Sequence, residues 1–353
     1  MLLDDEFSES VYVDQYYLAS DEEEGLEVVL PEASFVRDMV GVVRILTAVV
    51  CKEPFFTYGA GGKGERLTNI GKDLLLALRV EPESLIEIYK GGRLSPYLHV
   101  FYRVRRQLSE CEESIDFYND KHTPEEQVDI VKRAINAILQ EASVADFKRD
   151  VRNCERAVNK NAKGANEFID SLFERYSRLL VLRLDIGYSL PYLQKQGWVI
   201  GLDRVKKDFS LFLRSISRGR LKDSLCGYIW KLEFGPTKQY HYHVMVFLDG
   251  AKHQEDINLC KELGEIWVGK ITAGDGVYFN CNRKKYRYKR NGTGMAAWND
   301  AVKIANVKWA ANYLVKKDLL IRPNLLDRER TFGKSALPKP NKGVGRPRVK
   351  ADL

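Results

Sequence analysis

The feature that most constrains the fold is a pair of histidines at the start of an apolar run. His241 and His243 stand two positions apart, and residues 244–247 read Val-Met-Val-Phe. A short apolar run of this kind predicts a buried strand, and strand residues two apart point to the same face. Both imidazoles are therefore expected to project side by side from one face of a sheet.

A carboxylate is placed to join these histidines. Glu233 ends the apolar run of Tyr228, Ile229, Trp230 and Leu232, and residues 235–238 read Gly-Pro-Thr-Lys, which predicts a turn. In an antiparallel hairpin the Glu233 carboxylate would lie opposite the histidines, and two imidazoles plus one carboxylate indicate a catalytic metal site with open positions. The alternative is a half-buried strand whose histidines bond to polar neighbours. The scarcity of histidine elsewhere, at His99, His122 and His253, favours the metal site.

A second motif, Tyr-Leu-Val-Lys, follows within a segment of helical spacing over 298–320. Tyr313 and Lys316 are three residues apart and share a helix face, with Lys317 one turn beyond the tyrosine. A cation beside a phenol favours the phenolate, which makes Tyr313 a candidate nucleophile. The alternative is a surface tyrosine with two solvated lysines.

Glu, His-x-His and Tyr-x-x-Lys in this order resemble the HUH endonucleases, as arranged in rolling-circle replication initiators. Residues 165–333 more closely resemble the inovirus-type replication proteins, also described as the YagK/YfjJ C-terminal domain family. The segments that carry this resemblance are 180–185 (Leu-Val-Leu-Arg-Leu-Asp), 230–233, 240–247, 311–316 and 330–335. One position departs from the pattern, because Tyr242 stands where a small aliphatic residue is usual.

The resemblance implies a metal-dependent enzyme that nicks and rejoins one DNA strand. Mg²⁺ or Mn²⁺ would be held by Glu233, His241 and His243. Tyr313 would attack the phosphorus, leaving a free 3′-hydroxyl and a 5′-phosphotyrosine, while Lys316 would hold the phosphate or lower the tyrosine pKa. The implied partners are single-stranded or origin DNA and a host helicase or polymerase. The implied location is the bacterial cytoplasm, with the gene on a phage or integrated element.

Two other functions compete with this prediction. H-x-H also opens the cupin metal motif, but that motif needs a glutamate shortly after the second histidine, and residues 244–248 are apolar. The second alternative is a DNA-binding regulator that keeps the fold without the chemistry. The intact set of candidate residues favours the enzyme.

The charge distribution also favours a polyanionic partner. The 353-residue chain has a net charge of +7, yet residues 1–35 contain eleven acidic residues and no Lys or Arg. The remainder is therefore more basic than the total suggests. Six scattered cysteines without a C-x-x-C pair indicate free thiols in a reducing compartment. No signal peptide or membrane span is expected, because residues 4–6 are acidic and Arg44 interrupts the longest apolar stretch.

The predicted organisation is of the α+β class, with an antiparallel sheet packed against helices in the C-terminal half. We expect an acidic flexible head at 1–32 and a mainly α-helical domain of unknown function at 33–160, in which Thr123 begins a helix. A polar break at 159–164 separates it from an endonuclease domain at 165–333. Residues 334–353 read as a disordered basic tail.

Further candidate DNA-binding residues lie in the C-terminal third. Cations interleaved with aromatics suit single-stranded DNA, because bases stack while cations meet phosphates. This pattern covers Lys284, Lys285, Tyr286, Arg287, Tyr288, Lys289 and Arg290. The alternative is a solvated, charged edge strand. Lys317 and the tail residues Arg346 and Arg348 complete the set; the tail resembles an AT-hook core except that Val344 replaces the preceding arginine.

Overall fold

A computed structural model describes residues 16–18, 27–29, 32–58, 64–80, 92–110, 115–119, 121–197, 200–235, 238–323 and 329–338. The predicted acidic head therefore lies almost wholly outside the described residues. So do positions 339–353 of the predicted basic tail, which include Arg346 and Arg348.

The described α-helices are α1 (Glu32–Val50), α2 (Asn69–Ala77), α3 (Pro96–Glu110), α4 (Pro124–Ser143), α5 (Ala145–Arg175), α6 (Leu190–Lys195), α7 (Leu202–Arg218), α8 (Asp256–Glu265) and α9 (Ala301–Lys316). The described strands are β1 (Tyr16–Leu18), β2 (Glu27–Val29), β3 (Phe56–Tyr58), β4 (Glu65–Leu67), β5 (Gly92–Leu94), β6 (Arg178–Tyr188), β7 (Leu225–Gly235), β8 (Gln239–Asp249), β9 (Gly276–Asn280), β10 (Gly294–Ala297), β11 (Ile321–Pro323) and β12 (Phe332–Lys334). The predicted α+β class is confirmed, with N-terminal helices followed by an antiparallel sheet packed against helices.

The residues form two compact units. The first is drawn from Met1–Lys160, Glu233–Tyr240 and Lys316–Glu329. The second is drawn from Asn161–Leu232, His241–Val315 and Arg330–Leu353.

The core of the first unit is built from the apolar faces of α1, α3 and α4. Met39 and Leu46 of α1, Val104 of α3 and Val131 of α4 have no exposed surface. Such burial supplies most of the stability of amphipathic helices, because isolated helices of this length are marginal in water.

The predicted start of α4 at Thr123 is confirmed. The backbone N–H of Glu126 donates to Thr123 Oγ1 over 3.2 Å, and the backbone N–H of Thr123 donates to Glu126 Oε2 over 2.7 Å. This reciprocal capping box satisfies two backbone donors that the helix itself leaves without acceptors.

The predicted polar break at 159–164 does not interrupt the secondary structure, because these residues lie inside the continuous helix α5. The two compact units nevertheless divide within this segment, between Lys160 and Asn161. Val158, Ala165 and Phe168 are buried at helical spacing on either side of the segment. Burial of that stripe outweighs the low helix propensity of asparagine and glycine, which costs about 1 kcal/mol or less per residue.

A six-stranded sheet organises the second unit, in the order β10-β6-β8-β7-β12, with β9 also joined to β6. Strand β6 is antiparallel to β8, β9 and β10, and β12 is antiparallel to β7. The ladder between β6 and β8 sets Asp185 opposite His243. This register positions the candidate site.

Helices cover both faces of this sheet. Phe209 of α7 stacks on Tyr242 of β8 with ring centroids 3.7 Å apart. On the opposite face, Phe168 of α5 contacts Phe247 of β8 with centroids 6.1 Å apart. Even and odd positions of β8 therefore meet different helices, as the strand period requires.

The prediction places the start of the disordered tail, at residue 334, too early in the chain. Residues Phe332–Lys334 form the edge strand β12 beside β7. Ser335 N donates to Tyr228 O over 3.0 Å, and Ser335 Oγ accepts from Tyr228 N over 3.2 Å. Ladder pairing with β7 therefore orders these residues.

Two further sequence expectations concern the whole chain. Within the described part, every helix is too short or too polar to span a bilayer. The cysteines that the structure describes, Cys51, Cys154, Cys226, Cys260 and Cys281, are all free thiols.

Candidate active site

Strand β8 presents the two histidines on one face of the sheet. Their ring centroids lie 5.1 Å apart, and His241 is 8% exposed while His243 is fully buried. Tyr242 points to the opposite face, where it stacks on Phe209. The aromatic residue between the histidines is thus explained by packing against α7. A Cβ atom at Gly187 would lie 3.3 Å from His241 Cβ, so glycine leaves room for that imidazole.

Strand β7, the neighbour of β8 in the sheet, adds the carboxylate. Glu233, His241 and His243 each offer one ligand atom, and these atoms lie within 4.8 Å of one another. The structure therefore brings together the three predicted ligands. Two imidazole nitrogens and one carboxylate oxygen fit a divalent transition metal such as Mn²⁺ better than Mg²⁺, which prefers oxygen ligands. Three protein ligands also leave positions for a substrate, as catalytic sites require.

Asp185 is a site residue that sequence reasoning missed. His243 Nδ1 and Asp185 Oδ1 are 2.5 Å apart, across the β6–β8 ladder. A carboxylate at Nδ1 favours the tautomer that leaves Nε2 available to a metal, and it raises the basicity of that nitrogen. The sequence signal is the alternation of Arg183 and Asp185 within an otherwise apolar strand.

One buried face of the sheet collects charges of both signs. Lys231 has no exposed surface, Arg183 is 3% exposed, and Asp185 and Glu233 are 8% and 9% exposed. Lys231 is two residues from Glu233, and Arg183 is two residues from Asp185, so each pair shares its strand face. Charged side chains are seldom buried to this extent outside paired or functional clusters, because their desolvation is costly. The cluster is therefore a functional-site candidate.

Tyr313 lies in the interior, on α9. The side chain is 1% exposed, and its ring stacks on Trp309 with centroids 5.7 Å apart and an interplanar angle of 15°. The guanidinium carbon of Arg183 lies 5.7 Å from the Tyr313 ring centroid. The predicted nucleophile thus contacts a side chain of β6, the strand that carries Asp185. Lys316 is half-buried at the end of the same helix.

The predicted DNA-binding segment 284–290 contains a 3₁₀ turn at Lys285–Arg287 and is not an edge strand. Within it, Lys285 Nζ lies 3.0 Å from Asp256 Oδ2, whereas Tyr286 is 73% exposed. The Tyr288 ring faces Arg183, whose guanidinium carbon is 5.4 Å from the ring centroid. The two tyrosines of the segment therefore differ, because Tyr286 is exposed whereas Tyr288 is half-buried. The side chain of Lys317 lies outside the described part.

These observations define an α+β protein with a buried histidine–carboxylate cluster on one face of an antiparallel sheet. The chain belongs to the YagK/YfjJ C-terminal domain family, whose family model matches residues 141–334. The predicted resemblance to this family is confirmed, while the wider likeness to the HUH endonucleases stays a prediction. No curated protein and no solved structure matches the chain.

Proposed function

We propose that this protein is a rolling-circle replication initiator, a metal-dependent DNA endonuclease of the HUH type that cuts and rejoins one strand. The observation that carries the proposal is the cluster of Glu233, His241 and His243, whose ligand atoms lie within 4.8 Å of one another. The bond from His243 to Asp185 supports it, because a histidine oriented by a carboxylate is typical of metal ligands.

In this proposal Glu233, His241 and His243 would hold Mg²⁺ or Mn²⁺. When bound, the metal supplies charge stabilisation to the phosphate oxygens. The phenol oxygen of Tyr313 attacks the phosphorus, so that a P–O(Tyr) bond forms while the P–O3′ bond breaks. The phenol loses its proton, and the departing 3′ oxygen gains one. Lys316 offers a cation to the phosphate.

The products are a free 3′-hydroxyl and a 5′-phosphotyrosine. A polymerase can extend the 3′ end, and reversal of the same step rejoins the strand without ATP. Host helicase or polymerase would be the further partners, and the bacterial cytoplasm the location.

A second candidate is a DNA-binding regulator on the same fold, and the burial of Tyr313 favours it. At 1% exposure the side chain must be uncovered before it can reach a phosphate. A regulator would need no such opening, because its tyrosine would serve only as a core residue.

One experiment separates the two candidates. Single-stranded oligonucleotides that tile the DNA flanking the gene, labelled at their 3′ ends, are incubated with the protein and Mn²⁺ or with EDTA. The nickase links the 3′-labelled fragment to protein on a denaturing gel, in Mn²⁺ only. A shifted native complex without any covalent product, in Mn²⁺ as well as in EDTA, would favour the regulator.

A further inference from the structure

Arg183 is a buried arginine whose guanidinium lies near two tyrosine rings. Its guanidinium carbon is 5.7 Å from the Tyr313 centroid and 5.4 Å from the Tyr288 centroid. At 3% exposure the charge is largely removed from water, where contacts between a cation and an aromatic face are strongest.

The backbone of Arg183 is fixed from several directions. Its N–H donates to Asn282 Oδ1 over 2.8 Å. Its carbonyl accepts from Cys281 N over 3.1 Å and from Cys260 Sγ over 3.2 Å. The guanidinium thus projects from a rigid strand, as expected of a group that must hold a partner in one orientation.

A fixed cation beside a buried tyrosine changes the ionisation of its phenol. Burial disfavours the phenolate, whereas a nearby positive charge favours it, and the effect of the charge grows as water is excluded. Other charged groups also contribute. The sheet face that carries Arg183 also carries Lys231, Asp185, Glu233, His241 and His243, and α9 carries Lys316. The guanidinium carbon of Arg183 lies 5.7 Å from the Tyr313 ring centroid, and neutral Trp309 stacks on the same ring.

We propose that Arg183 is the positioning residue of the nucleophile: it orients the Tyr313 ring and favours its phenolate, and Tyr288 holds the guanidinium in place. This inference rests on the proposed function, since it assigns a role at the same site. It also gives the segment 284–290 a second role, because Tyr288 then supports the catalytic tyrosine from within the candidate DNA-binding segment.

The test compares pH profiles for formation of the protein–DNA adduct. Arg183→Gln should raise the midpoint of the alkaline rise by about one pH unit, with a roughly tenfold slower rate below the midpoint. Arg183→Lys keeps a positive charge and should lie between Arg183→Gln and the wild type. Tyr288→Leu should shift the midpoint in the same direction, whereas Tyr288→Phe keeps the aromatic face and the wild-type midpoint.

Arg105 provides a matched control. It is also a buried arginine, 7% exposed, with its guanidinium carbon 3.7 Å from the Phe117 ring centroid. Arg105→Gln removes a comparable cation–aromatic contact within the helical unit and should leave the pH midpoint unchanged. An equal rate loss at every pH in Arg183→Gln, with no shift of midpoint, would overturn the proposal.

A second measurement separates failure of this inference from failure of the proposed function. The phenol of Tyr313 can be titrated by NMR in protein labelled at tyrosine Cζ, with its signal assigned by its loss in Tyr313→Phe. Arg183→Gln should raise that pKa relative to the wild type, whether or not an adduct forms. An unchanged Tyr313 titration refutes the role of Arg183, whereas absence of any wild-type adduct refutes the nickase.

Discussion

Replacing Asp185 with asparagine should weaken metal binding while preserving the packing around His243. Asparagine has nearly the same volume, so no cavity forms, and its amide oxygen can still accept from Nδ1. The substitution removes the negative charge of the Asp185 carboxylate. In the wild type that carboxylate lies 2.5 Å from the ring nitrogen of the fully buried His243. Losing such a carboxylate behind a metal-ligating histidine typically lowers metal affinity by about 10- to 100-fold, or about 1.4–2.8 kcal/mol.

The measurement is calorimetric titration of metal-free protein with Mn²⁺ at fixed pH, without DNA. Asp208→Asn is the matched control, because Asp208 is also buried, at 4% exposure, and accepts from Tyr188 Oη over 2.8 Å. That variant should bind Mn²⁺ like the wild type. Asp185→Asn with wild-type affinity, or an equal loss in both variants, would refute the reasoning.

Three further predictions follow from the fold and the site. His241→Ala should abolish the adduct but keep most DNA affinity, because phosphate contacts dominate binding. The control His253→Ala should keep both the adduct and the affinity, and adduct formation in excess EDTA would contradict the metal requirement. Tyr242→Leu loses the stack on Phe209 and should cost about 2–4 kcal/mol in urea unfolding, with unchanged Mn²⁺ affinity of the folded protein; a loss below about 0.5 kcal/mol would contradict the packing. Deleting residues 339–353 should weaken binding to all DNA sequences alike and reduce the salt dependence of the binding affinity. A loss of sequence preference with an unchanged salt dependence would show instead that the tail recognises bases.

The local part of the site is predictable because it depends on strand period and a short hairpin. Alternation fixes the common face of His241 and His243, and a neighbouring strand brings Glu233 to them. The Asp185 contact is different, because it joins residues 58 positions apart in sequence. Which residue of β6 faces His243 depends on the register between two strands, and nothing local in either strand specifies that register.

The burial of Tyr313 shows a second limit of sequence reasoning. The apolar stripe of α9 predicts burial of Ile304, Val307, Ala311 and Leu314. The last three have no exposed surface, whereas Ile304 is half-buried. The sequence places Tyr313 beside lysines on its helix, and the structure adds Arg183, because the sheet contributes a further cation at the buried ring. Helix periodicity identifies an apolar stripe but not the polar groups of the surface it meets. The sequence pattern also fails to predict strand β12, because its residues are held in place by pairing with β7.

The most direct test of the central claim is to identify the residue that carries the DNA. Adduct formed with Mn²⁺ is digested with nuclease and protease, and the nucleotide-bearing peptide is sequenced by mass spectrometry. The proposal predicts a nucleotide joined through its 5′-phosphate to the Tyr313 phenol oxygen, and no adduct from Tyr313→Phe. A nucleotide on another tyrosine, such as Tyr286 or Tyr288, or an undiminished adduct in Tyr313→Phe, would contradict it.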